Sequence, residues 1–428
     1  MVSSADLSQG GFVVAPGSIG EPVNCPSLSA ALWVEASQSA PAATSRYTVF
    51  MESTPDSNDQ HGPSRREILT GRALASTAET GQGQPQPAAA KDSYVYQVSR
   101  KAMACDFEIT LPIEQAAETT EAALAALDEV ERLEQQLSVF LTESEVSRLN
   151  RAAAERAMAV EPELWNLLAR CHQLWRETEG AFDITSTPLS RSWGFYRRQG
   201  QLASQQEIDQ ALEAVGSQWL QLNEANQTVE FSNRGLEINL GSIGKGYALD
   251  IAAGSLEMDG SQDFIIHGGH SSILARGSRH ADESSPAGWR IALRHPTRPQ
   301  QRLLDVTLLD QAAGTSGSAN QFFHHQGQRY SHILDPRTGW PAEHLLSATV
   351  LAPTAADADA LATAFFVMGI ESTERFLVDR PGISAILTRE TSRASGTEIH
   401  LLGLESTQWT PLTDNVTIID HSQSNAPG

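Results

Sequence analysis

Phe264-Ile265-Ile266-His267, Trp289-Arg290-Ile291-Ala292-Leu293 and Leu303-Leu304-Asp305-Val306-Thr307-Leu308 follow one another with no helical stretch between them. Apolar and β-branched residues crowd these runs, which reads as successive strands. Strands joined without a crossover helix pair antiparallel. Upstream, Tyr94-Val95-Tyr96-Gln97-Val98 and Cys105-Asp106-Phe107-Glu108-Ile109-Thr110-Leu111 alternate like two more. Ala122, Ala123, Ala126, Leu127, Val130, Leu133 and Leu137 then recur at helical spacing, predicting a helix over 114–137. Pro162 at a first turn and Gly180 as a stop bound another over 162–179, and a third covers 205–214. Val229-Glu230-Phe231 and Leu236-Glu237-Ile238-Asn239-Leu240 suggest a hairpin around Asn233-Arg234-Gly235. Further on, the pattern predicts a strand at 348–352, helices at 356–367 and 371–379, and a last strand at 383–388. Helices mixed with largely antiparallel sheets make the fold class α+β rather than doubly wound α/β.

Residues 1–92 are rich in Ser, Pro, Gly, Gln and Ala without any period, and read as a disordered or linker extension. A single catalytic domain is expected over 93–412, with a flexible tail at 413–428. Met51 offers a second plausible start. The 428-residue chain is 40% hydrophobic and 19% charged, with a formal net charge of -22. Such acidity argues against nucleic acid as a partner, because phosphate backbones reward basic patches. No run approaches the roughly 18 apolar residues of a transmembrane segment. Ser64-Arg65-Arg66-Glu67-Ile68-Leu69 resembles a twin-arginine signal, but the residues after it are short, charged and polar. Cys25, Cys105 and Cys171 are widely spaced and odd in number, which predicts free thiols.

Two stretches carry most of the chemistry. His332-Ile333-Leu334-Asp335-Pro336-Arg337-Thr338-Gly339 puts an imidazole and a carboxylate beside a Pro/Gly turn. Asp357-Ala358-Asp359-Ala360-Leu361-Ala362-Thr363 puts Asp359 and Thr363 four residues apart, on one face of a helix. A base and hard oxygen ligands are the parts of Mg²⁺-assisted phosphoryl chemistry. Lys91, Lys101 and Lys245 are the only lysines, and Lys245 stands in Gly241-Ser242-Ile243-Gly244-Lys245-Gly246-Tyr247, after a strand and at a helix start. This is not a Walker A loop, yet backbone N–H groups and an ammonium there favour a phosphate. A plain strand-to-helix turn is the alternative. His267-Gly268-Gly269-His270-Ser271 lacks zinc spacing and reads as a close-approach turn. Thr315-Ser316-Gly317-Ser318 is either a phosphate cradle or an ordinary polar turn, and Ala181-Phe182-Asp183-Ile184-Thr185 either a capped core segment or a ligand cleft.

Taken in order, these stretches resemble the ApbE-like flavin transferases, the FAD:protein FMN transferases. The likeness rests on Met103-Ala104-Cys105, Phe182 to Thr185, Leu240 through Tyr247 with Asp250, Gly268-Gly269, Thr315-Ser316-Gly317, His332 through Gly339, and Ala358 through Thr363, over about residues 100–390. The family pattern has Met-Gly-Thr at the first of these, Tyr where Phe140 stands and Asp where Asn239 stands.

The resemblance implies a single α+β catalytic domain that uses Mg²⁺ to move FMN from FAD onto a threonine hydroxyl of an acceptor protein, releasing AMP. It implies Asp359, Thr363 and the Ser242 carbonyl as metal ligands. Met103 and Phe140 would flank the adenine, with Ala181, Phe182, Asp183, Asn239, Lys245, His332 and Ile333 lining the rest of the FAD site. His332 is the candidate base, with Asp335 as the alternative. The implied acceptor is a flavoprotein, a subunit of a membrane redox complex. Two other activities stay open: a FAD pyrophosphatase yielding FMN and AMP, and a catalytically impaired FAD-binding protein. The compartment stays open too. The sequence alone reads as cytoplasmic, with Cys25 lacking an apolar lipid-attachment context, whereas the family resemblance implies export.

Overall fold

The computed structural model describes residues 32–34, 46–50, 95–279, 287–318, 321–391 and 396–421. Most of the expected N-terminal extension, the twin-arginine-like stretch, Met51 and Cys25 lie outside these residues. The order opens with β1 (Leu32–Val34), β2 (Arg46–Phe50), β3 (Val95–Ala102), β4 (Cys105–Pro112) and helix α1 (Ala116–Leu137). Next come α2 (Glu145–Ala152), β5 (Met158–Ala159), α3 (Pro162–Glu177), α4 (Thr187–Ser192), α5 (Gln205–Leu212), β6 (Leu220–Asn223), β7 (Thr228–Phe231) and α6 (Gly244–Met258). Then follow β8 (Phe264–Gly268), β9 (Ser272–Arg276), β10 (Trp289–His295), β11 (Arg298–Leu308), β12 (Ala312–Gly317), β13 (Phe322–His325) and β14 (Gln328–Ser331). The last are β15 (Ser347–Ala352), α7 (Ala355–Leu377), β16 (Ser384–Glu390), β17 (Thr397–Leu402), β18 (Trp409–Pro411) and β19 (Thr417–Asp420).

Among the described residues the main sheet has 11 strands in the order β1-β2-β3-β4-β8-β9-β12-β15-β16-β17-β19. Its pairings are antiparallel except for β17 with β19. Side chains alternate between its faces, as a pleated strand requires. Phe264 and Ile266 of β8 belong to the core under the helices, while Ile265 between them packs with β10 and β11 on the other side. Ala385 and Leu387 of β16 likewise flank Ile386. Helices α1, α6 and α7 cover one face, and the small sheet β10-β11-β18 covers the other. The apolar positions read as one face of α1 are all buried.

Three expectations are corrected. Leu236–Leu240 does not pair with β7, whose partners are β5 and β6. The Asn150 amide takes the role of a neighbouring strand there, donating to the Ile238 carbonyl and accepting from the Ile238 N–H, both at 2.9 Å. Thr315-Ser316-Gly317 is not a turn but the end of β12, paired with β15. The two helices expected at 356–367 and 371–379 are both present as the two parts of α7, parted at Gly369, whose φ of 74° is not helical. The tail expected from residue 413 contributes β19, parallel to β17.

Two glycines set the distances that matter for the site. A Cβ on Gly246 would run into the Ala355 carbonyl, and one on Gly314 into the backbone of Ala358. Only glycine lets α6 and β12 approach the first turns of α7 this closely. Asp250 of α6 then holds the start of α7, accepting from the N–H groups of Ala355 at 2.8 Å and Ala356 at 2.9 Å. A carboxylate at a helix N-terminus satisfies orphan N–H groups and suits the macrodipole.

Candidate active site

The starts of α6 and α7, the end of β12, Ser271 just before β9, and the 332–336 turn converge on one cavity of about 400 Å³. Its wall includes Ala181, Phe182, Asp183, Asn239, Ser242, Lys245, His332, Ile333, Asp359 and Thr363, ten of the residues expected from sequence. Segments more than a hundred residues apart in the chain thus meet.

Asp359 is buried, and its carboxylate accepts from the Gly246 N–H and the Ser272 hydroxyl, each at 2.8 Å. Burial pushes the carboxyl up to about 6, against the pull of Lys245 and of those two hydrogen bonds. One turn on, the Thr363 hydroxyl lies 3.0 Å from that of Ser316. Lys245 reaches the Ser271 hydroxyl. Sequence reasoning passed over Ser271 and Ser272, and only the Gly-Gly turn before them hinted at a ligand-facing backbone.

His332 is tied by Nδ1 to the Gln321 carbonyl at 2.9 Å. A carbonyl can only accept, so Nδ1 carries the proton and Nε2 keeps a lone pair in the neutral ring. Burial lowers the imidazole below the usual histidine range, which keeps that neutral form at pH 7.

Asp335 is not brought to this wall. Its carboxylate binds Arg337 Nε at 2.9 Å and Nη2 at 2.8 Å and accepts the Arg337 N–H, so it braces its own turn. Of the two candidate bases, His332 lines the cavity. Asp183 is at the wall, but it accepts from Thr185 and from Ser217 and works as a buried brace. Phe140 lies outside the cavity, on a neighbouring one of about 300 Å³ that shares Thr187 with it. Met103 stands in the tight turn between β3 and β4, with φ 49°.

Among the described residues no group of three or more His, Cys, Asp or Glu is placed to hold a metal. The Asp183 carboxylate is taken up by Thr185 and Ser217, and the other oxygen donors at the wall include the Asp359 carboxylate and the hydroxyls of Ser316 and Thr363. That set fits Mg²⁺, which commonly takes one or two carboxylates and completes its shell with phosphates and water.

The ApbE family matches residues 103–387. The FAD:protein FMN transferase of Escherichia coli K12 is 31% identical over 316 residues, 72% of this chain and 88% of the relative. That of Haemophilus influenzae is 31% identical over 272 residues, 62% of this chain and 75% of the relative. The crystal structure of the Thermotoga maritima ApbE protein superposes with a TM-score of 0.61 at 29% identity, covering 68% of this chain and 94% of that one. The apo flavinyl transferase ApbE of Pseudomonas stutzeri gives a TM-score of 0.63 at 26% identity, covering 73% and 98%. These relatives define the class of the chain as a transferase. The chain belongs to the ApbE family.

Proposed function

We propose that this chain transfers FMN from FAD to a threonine hydroxyl of an acceptor flavoprotein, with Mg²⁺, and releases AMP. The observation that carries the reading is the convergence of Lys245, Asp359, Thr363 and His332 on one oxygen-lined cavity. Asp359, Thr363 and the Ser242 carbonyl would hold the metal. When bound, Mg²⁺ neutralises pyrophosphate charge and orients the phosphorus for in-line attack. Lys245 adds a fixed cation beside the same phosphates. His332 Nε2 takes the proton from the acceptor hydroxyl as its oxygen bonds to the FMN phosphorus. The bond from that phosphorus to the bridging oxygen breaks, and AMP carries the electron pair away. The acceptor we propose is a subunit of a membrane redox complex. Incubation with FAD, Mg²⁺ and a candidate acceptor peptide tests the reading by mass. A peptide heavier by one FMN supports it, and free FMN with an unlabelled peptide makes the chain a pyrophosphatase instead.

A further inference from the structure

The β13–β14 hairpin stands in the chain between two walls of the cavity, with Ser316 and Gly317 before it and His332 after it. Its foot is closed by His332 itself, whose N–H and Nδ1–H both reach the Gln321 carbonyl, at 3.2 Å and 2.9 Å. Cross-strand partners share a face. Phe323 and Tyr330, paired and stacked at 5.2 Å, pack inward, with Tyr330 5.6 Å from the buried Trp193. Phe322, His324 and Arg329 share the other face. Phe322 is 42% exposed and carries the Arg329 guanidinium over its ring at 4.2 Å. Arg329 donates to the Ser318 carbonyl through Nη2, while its Nε is buried without a hydrogen-bond partner. Burial works against its charge, and Glu390 offsets this only in part. Among the described residues Arg329 makes no ion pair. From Gln321 to His332 there is no Asp or Glu, in a chain that has 52 of them.

We infer that the Phe322–Arg329 face of this hairpin is the docking surface for the acceptor protein, an inference that rests on the transfer reading above. Its occupant is an extended acceptor segment, with an apolar side chain against Phe322 and a carboxylate paired with Arg329. Charge selects that occupant. A guanidinium held at an acid-free hairpin without an ion pair is completed by a carboxylate from outside. Position selects it too, because the hairpin ends at the proposed base. At about 3.4 Å per residue, a segment of about five extended residues covers the four-residue strands and brings its threonine to His332. Phe322 and Arg329 hold the acceptor and take no part in the bond-breaking step.

The test titrates the threonine peptide of the mass assay above against the full chain with FAD and Mg²⁺, native against Phe322→Ala and Arg329→Gln. Each variant is expected to raise the peptide concentration for half-maximal labelling by roughly tenfold. FAD affinity, read by calorimetry, and labelling at saturating peptide should stay at the native level. Added salt should weaken the native chain for the peptide and leave Arg329→Gln far less affected, a change that a merely structural arginine does not produce. Phe322 is exposed, so its truncation leaves the core whole. Native half-maximal concentrations in both variants overturn the inference, and so does FAD affinity that falls in step, which gives the hairpin to the nucleotide. A native dimer that Phe322→Ala splits in sedimentation also overturns it and gives the face to a second copy. A native chain that labels no peptide sinks the transfer reading and this inference with it, whereas native labelling that ignores both variants sinks the inference alone.

Discussion

The Nδ1–H of His332 is committed to the carbonyl of Gln321 at 2.9 Å, which leaves Nε2 as the basic nitrogen of a neutral ring. Gln321 is itself fixed, its side chain donating to the Phe195 carbonyl at 2.8 Å. The proposed base is therefore oriented before any substrate arrives.

Replacing His332 by alanine is expected to slow FMN transfer by about a hundred- to ten-thousandfold, with FAD affinity little changed. Because burial lowers the imidazole, the acid limb of the native pH–rate profile should fall below about 6.5, the ordinary histidine value. Activity is lost as pH drops through that lowered value and the ring takes up a proton. A loss under threefold in His332→Ala would show that another group accepts the proton.

Asp250 carries a stability prediction. Burial raises its carboxyl to about 6 from 3.8, overriding the two N–H groups of α7 that favour its charge. Between these values the folded chain binds a proton that the unfolded chain releases. Its contribution is whole below the lower value and is lost as pH rises through about 6, a swing of roughly 3 kcal/mol at most. Asp250→Asn should remove that slope from the melting temperature between about pH 4 and pH 6. A slope as steep as the native one would place the titration elsewhere.

Met103 and Ala104 turn the chain from β3 to β4 with φ of 49° and 61°. A Cβ in the left-handed region costs about 1–2 kcal/mol, partly offset by the lower freedom of the unfolded alanine. Ala104→Gly is therefore expected to stabilise by roughly 0.5–1 kcal/mol, read as a higher urea midpoint with an unchanged slope. A lower midpoint would mean that the Ala104 methyl has packing worth more than its strain.

How far the sequence reveals this molecule depends on where each segment finds its partners. Helix α1 is legible because its period points at a core whatever that core is made of. The kink at Gly369 is legible as a gap in a helical pattern. Segment 236–240 is misread because its backbone is satisfied by one distant side chain, Asn150, and no local pattern carries that fact. Strand β12, Ala-Ala-Gly-Thr-Ser-Gly, looks like a turn because it is built of small residues. Those residues are small because α7 presses on them at Ala358. Most of the site was legible as motifs, each ambiguous alone. The split between His332 at the cavity and Asp335 in its turn was not legible, since the two stand three residues apart in one motif and only the Arg337 ion pair separates their roles.

The proposed transfer would move FMN onto a protein hydroxyl at the cavity of Asp359. The most direct measurement is the mass of an acceptor peptide after incubation with FAD and Mg²⁺, with the native chain and with Asp359→Ala. A gain of one FMN on a threonine is expected with the native chain and none with Asp359→Ala. Labelling that persists in Asp359→Ala would contradict it.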